Sequence, residues 1–143
     1  MNGFEAGKMI KECLSAAASV KGNSLYGIAV ENDPYMELEK RLPFILVEEC
    51  GSAIITNPQG CPVEYLHTIE LTCAVKGEGI KRDEYRMKSF STAESAVNEL
   101  QKLSVYGCGI FPREMTPGEV IIGSLKCSAV KLTVEIKTLF NDD

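Results

Sequence analysis

The chain has a single histidine, His67, and six cysteines, and these are the residues from which covalent chemistry would have to be built. A Cys/His nucleophile pair needs a thiolate beside an oriented base. His67, however, falls in the series Tyr65, His67, Ile69, Leu71, Cys73, Val75, which alternates with Leu66, Thr68, Glu70, Thr72 and Ala74. Period two marks a strand with one buried face. A general base also needs solvent access, so His67 is expected to be a core or edge histidine. Cys13, Cys50, Cys61, Cys73, Cys108 and Cys127 are scattered, with no Cys-x-x-Cys pair, which argues against a zinc ribbon. Without an export signal, buried thiols serving as small hydrophobes are the expectation. Cys50 and Cys61 flank a hairpin and form a candidate disulfide, provided their Cα atoms approach within about 7 Å.

Two glycine doublets, Gly77-Glu78-Gly79 and Gly107-Cys108-Gly109, do not extend into a phosphate-binding motif and read as loop punctuation. Glu48-Glu49 and Asp142-Asp143 are solvated pairs without the spacing of a metal-ligand set. No catalytic residue, metal site or cofactor is therefore expected, and the chain is not expected to be an enzyme.

The elements that would position any site follow from periodicity. Ile10, Cys13, Leu14 and Ala17 recur at i, i+3, i+4, i+7 and predict an amphipathic helix ending near Lys21-Gly22-Asn23. Tyr26 to Val30 is strand-like, and Asn32-Asp33-Pro34 is turn chemistry. Phe44 to Val47 and Ser52 to Thr56 are two short β-prone runs that look like a hairpin leading into a loop at Asn57-Pro58-Gln59-Gly60. After the Tyr65–Val75 strand, Lys76 to Lys88 reads as a charged linker. Ser91 and Glu94 have the spacing of a capping box, followed by the stripe Ala96, Val97, Leu100, Leu103 of a second helix. A loop from Tyr106 to Glu119, rich in glycine and proline, precedes Val120-Ile121-Ile122. In the last strand the apolar parity switches from Leu125, Cys127, Ala129 to Val130, Leu132, Val134, Ile136, which predicts a bulge or a strand break near Ala129. This order has no βαβ rhythm and favours an α+β fold, a single domain with a mostly antiparallel sheet and two amphipathic helices packed on one face.

At 143 residues, 45% hydrophobic and 24% charged, the composition is that of one ordinary globular domain, which on folding hides roughly 68% of its unfolded surface. A net charge of −5 repels nucleic acid unless a local basic patch exists. No stretch approaches the ~20 apolar residues of a membrane span. Cytoplasmic synthesis without membrane association is the expectation. Two segments stand out as candidate subunit or partner interfaces. Lys81, Arg82, Arg86 and Lys88 are charges able to set register and partner choice. Tyr106, Ile110, Phe111, Arg113 and Met115 give the second loop more apolar content than an idle loop needs.

An N-terminal amphipathic helix, the Leu42-Pro43-Phe44-Ile45-Leu46-Val47-Glu48 strand, a loop, the long Leu66–Lys76 strand, the Ser91–Leu103 helix, a variable loop and the closing Val130–Thr138 strand resemble the tail terminator (tail completion, minor tail protein U-like) family of tailed bacteriophages. The resemblance covers about Phe4 to Phe140 and rests on order, length and patterning. It implies a structural virion protein of the tail and neck, assembled in the host cytoplasm. Such a subunit forms a homo-oligomeric ring, usually a hexamer, that caps the tail tube protein and offers its other face to a head-completion or neck protein. Nucleic acid would enter only as DNA passing through the lumen. Six cysteines and the Asn23–Arg41 segment depart from the commoner pattern and bear on subunit contacts. Two alternatives come from the residues themselves: a connector component touching DNA, suggested by Lys81, Arg82, Arg86 and Lys88, and a thiol-dependent enzyme, suggested by the cysteines and His67.

Overall fold

The computed structural model describes residues 1–34, 38–76, 82–103 and 108–140. The elements run α1 (Gly3–Ala18), β1 (Ala29–Glu31), a 3-10 turn (Leu38–Lys40), β2 (Phe44–Thr56), β3 (Pro62–Lys76), α2 (Arg82–Gln101), β4 (Cys108–Ile122) and β5 (Leu125–Leu139). The strands form one sheet of order β1-β2-β3-β5-β4, antiparallel except where β1 joins β2. The fold is the α+β class expected from the pattern.

α1 starts on a capping box: the Asn2 side chain accepts from the Glu5 amide at 2.8 Å, and the Asn2 amide donates to the Glu5 carboxylate at 3.2 Å. This satisfies two of the amides that a helix start leaves unpaired. Its buried stripe, Ala6, Gly7, Ile10, Leu14 and Ala17, lies against β2 and β3. Gly7 marks the closest approach, since a Cβ there would meet the Glu49 carboxylate at 2.9 Å. α2 adds Ala93, Ala96 and Leu100 to the same core, whose sheet side is Ile45, Val47, Ile69, Leu71, Cys73, Val130, Leu132, Val134 and Ile136. Both helices therefore cover one face. Each fully buried Ile or Leu contributes about 1.5–3 kcal/mol.

Four local expectations need correction. Phe44–Val47 and Ser52–Thr56 are not two strands of a hairpin but one strand, β2, with a register shift between Glu49 and Gly51. The hairpin is β2–β3, closed by Asn57, whose side chain accepts from the Gln59 and Cys61 amides at 3.0 Å each. Residues 82–88 are not linker but the first two turns of α2, so Ser91 and Glu94 sit inside a helix and cap nothing. This stretch looked like linker because it overhangs the sheet: α2 buries nothing before Ser89, and a helix without a covered face has no apolar stripe.

The expected Tyr106–Glu119 loop is largely the 15-residue strand β4. Pro112 and Pro117 are tolerated because β4 is an edge strand, where a missing N–H breaks no ladder. No bulge occurs near Ala129, since β5 pairs without a shift from Leu125 to Leu139; the irregularity lies across from it, between Pro112 and Glu114. The parity switch has another cause. At this end the sheet is buried on both faces, and Ala129 packs with Phe44, Leu46, Ala74 and Leu38 in a second cluster away from the helices. The strand simply changes which of its faces is the more apolar.

Candidate subunit interface

The nine residues singled out in the sequence separate into four groups. Lys81 and Tyr106 lie outside the described residues. Ile110 and Met115 pack against the main core, so they serve the fold and not an exposed interface. Phe111 and Arg113 are exposed on the face that carries no helix, where the Arg113 guanidinium sits 5.0 Å from the Phe111 ring and its Nε donates to Glu135 at 2.6 Å. Arg82, Arg86 and Lys88 ride on the overhang of α2, near the far end of β4.

That overhang carries open apolar side chains. Met87 is 71% exposed, and Phe90 and Tyr26 are also open to solvent. On one flank of the helix a groove of about 550 Å³ is lined by Tyr26, Ile28, Pro43, Val75, Met87 and Lys88. It meets a second of about 380 Å³ that shares Pro43, Val75 and Lys88 and adds Lys76, Tyr85 and Leu125. The other flank holds a smaller one, about 230 Å³, between Arg86, Phe90 and Pro117. Arg82 is held by Glu119 at 2.6 Å, a carboxylate that also pairs with Lys126 at 3.0 Å and is kept below the usual carboxylate range, chiefly by the Lys126 contact. Arg86 and Lys88 have no ion-pair partner among the described residues.

The opposite end of the sheet carries a different surface. Residues Ser52 to Val63 contain no charged side chain, and Ile54 (56% exposed) and Val63 (37%) face solvent there. The flanks are acidic: between Leu42 and Val75 lie Glu48, Glu49, Glu64 and Glu70 and no lysine or arginine. Sequence inspection passed over this because the missing residue type, a cation, shows only when the whole hairpin is taken as one unit.

His67 is fully buried, as its place on the apolar face required. Its Nδ1 meets Ser52 Oγ at 2.6 Å and its Nε2 lies 3.1 Å from both the Met1 carbonyl and Thr138 Oγ1. With Nε2 protonated it donates to the carbonyl while Nδ1 accepts from Ser52. Burial lowers its pKa, so the ring is neutral at pH 7. No cysteine hydrogen-bonds it among the described residues, and Tyr65 stacks on it at 5.2 Å.

The Cys50–Cys61 disulfide is contradicted. Both thiols are free. Cys50 sits at the bulge opposite Thr68 and Ile69, whereas Cys61 sits in the turn beside Pro62, so about six residues of strand, or roughly 20 Å, separate them. Burial pushes the Cys73 thiol up to about 12. Cys50 is raised as well, first by partial burial and then by the Glu70 and Glu48 carboxylates. In the folded protein an alkylating reagent is expected to modify Cys50 and Cys61 within minutes and Cys73 only on unfolding. Mass mapping of time points checks this, and rapid labelling of Cys73 would contradict its burial.

No protein-family model matches the chain, and no curated protein matches its sequence. Among the described residues no cluster of His, Cys, Asp and Glu could hold a metal ion, and no helix is long and apolar enough to cross a membrane.

Proposed function

We propose that this chain is the ring-forming subunit of a phage tail terminator, a structural protein that closes the end of a tail tube and presents a joining surface to a neck or head-completion protein. The observation that carries the reading is the architecture of the whole chain: helix, hairpin, helix, hairpin on one sheet, both helices on one face. The resemblance to terminators rests on helix, strand, loop, long strand, helix, variable loop and closing strand, and this order differs from it in that most of the variable loop is the edge strand β4. The form suits a wall segment. β3, β4 and β5 are 15 residues each and so span roughly 50 Å. The bare face carries the cross-strand pairs Glu64–Lys137, Glu70–Lys131 and Glu135–Arg113.

The edges fit closed assembly better than open-ended growth. β4 is blunted by Pro112, Pro117 and a bulge, and β2, past its pairing with β1, by the shift at Gly51. Such devices discourage indefinite strand addition, whereas a heterologous contact whose rotation closes gives a ring. Light scattering and electron microscopy of the purified chain, with and without tail tubes, test the proposal. Rings at tube ends are the expected result, and a monomer that leaves tubes uncapped refutes it.

The DNA-contacting alternative draws less support, because Arg82 is already paired and Asp83 and Glu84 stand beside it. The thiol-enzyme alternative loses its base, since His67 is buried among hydroxyls and a carbonyl.

A further inference from the structure

The chain runs twice through the same unit. α1, β2 and β3 make a helix and a hairpin, α2, β4 and β5 make another, and the two hairpins meet along β3 and β5. The order β2-β3-β5-β4 has a hairpin on either side of that seam, and β3 and β5 are antiparallel. Half a turn about an axis normal to the sheet therefore exchanges the two units.

The agreement reaches single residues. In β2 the extra residue, Cys50, falls between the pairs Glu49–Ile69 and Gly51–Thr68. In β4 the extra residue, Arg113, falls between Pro112–Val134 and Glu114–Thr133. Laying Cys50 on Arg113 carries the pairs from Ile45–Cys73 to Ile55–Glu64 onto those from Cys108–Thr138 to Gly118–Ala129, and sets Ile69 on Val134. Ile69 and Val134 are themselves paired across the seam, as residues lying on such an axis must be. The helices follow suit: the buried residues Ala6, Gly7, Ile10 and Leu14 have the spacing of Thr92, Ala93, Ala96 and Leu100. Burial of one face demands alternation, but it does not demand two bulges at matching places.

We infer that the β3–β5 seam is an isologous interface carried inside one chain, so that the protein is two αββ units joined about a local two-fold axis, each supplying the strand that the other's inner edge requires. Apart from its mate, either unit would leave an inner strand unpaired, with a row of open backbone groups, and self-complementary contact is what a two-fold axis imposes. Two parts stand outside the repeat. One is β1 with the chain around it, and the other is the overhang of α2 before Ser89, the counterpart of Gly3. They meet at one end, where Tyr26, Ile28 and Pro43 share a groove with Met87 and Lys88. The additions thus make unlike the two ends of a body that the repeat alone would make alike.

Two full-length variants test the inference, and neither needs tail tubes, so it stands or falls apart from the terminator reading. Arg113 reaches Glu135 on the bare face, and the equivalent residues are Cys50 and Glu70, whose carboxylate already bears on the Cys50 thiol. Cys50→Arg is therefore expected to build a matching pair. A double-mutant cycle of Cys50→Arg with Glu70→Gln, read by urea unfolding, should show a favourable coupling of about two- to fivefold in the unfolding constant. The second variant is a circular permutant that begins at Gly79, passes from Asp143 through a short glycine linker to Met1 and ends at Glu78, which puts the second unit first. Thr138 Oγ1 donates to the Met1 carbonyl at 3.3 Å, so the join is short. The permutant should keep the parental circular dichroism spectrum and melt within about 5 °C of the parent. Absence of coupling between positions 50 and 70, a Cys50→Arg chain that does not fold, or a permutant that loses the parental spectrum would each overturn the two-unit reading.

Discussion

Phe44→Ala is expected to lower the free energy of unfolding by about 3–5 kcal/mol. Phe44 is fully buried, but on the face away from both helices, where it packs with Leu46, Ala74, Ala129 and Leu38. Were that cluster only a surface patch, truncation would cost no more than an ordinary surface change, about ±0.5 kcal/mol. The comparison site is Ile121, which is 76% exposed at the turn of the β4–β5 hairpin. Ile121→Ala should stay within that small range. For a chain of this size the Phe44 variant should melt roughly 6–20 °C lower, at about 2–4 °C per kcal/mol. Urea titration of both variants decides the matter, and a loss below about 1 kcal/mol at Phe44 would show that the sheet has a single working core.

His67→Leu should cost about 1 kcal/mol, because the ring's hydrogen bonds to Ser52 and the Met1 carbonyl are lost while Thr138 Oγ1 keeps its own bond to that carbonyl. The same residue gives stability a pH dependence. Burial holds the folded pKa below the ordinary 6.5, and the N-terminal amine pushes the same way, while the Met1 hydrogen bond opposes both. The unfolded chain therefore takes up a proton on His67 before the folded chain does. This contribution is complete above pH 6.5, falls as pH drops below that value, and stops changing below the folded pKa. Stability measured from pH 8 to 5 should decline more steeply for the parent than for His67→Gln. Equal slopes would mean that His67 titrates alike in both states.

What the sequence made legible was what repeats. The period-two alternation of β3 and the i, i+3, i+4 stripe of α1 each come from one covered face, and each element was placed by that signal. The misjudged segments are those where one face does not dominate. The first turns of α2 have no covered face, so Arg82 to Lys88 showed no periodicity. β5 near Ala129 has two, so its parity reversed without any irregularity in the ladder. β4 was hidden by Pro112, Pro117 and Gly118, which are acceptable only because nothing pairs beyond it among the described residues. The exposed cations Arg86 and Lys88 were legible in the sequence. The uncharged tip with its acidic flanks depends on which segments share an end of the sheet, and that is a property of topology.

The extra residue of β2 acts as a phase shifter. Glu49 and Ser52 both point to the helix side, one beside Gly7 and the other on His67, although they stand an odd number of positions apart and an unbroken strand would send them to opposite faces. Removing Cys50 alone would leave Glu49 and Ser52 two positions apart, the spacing at which a regular strand keeps both on one face, so β2 would straighten while Ser52 stayed on the histidine and Ile54 kept its side. The bulge is what lets an odd count of residues join two halves of a strand that present the same surface.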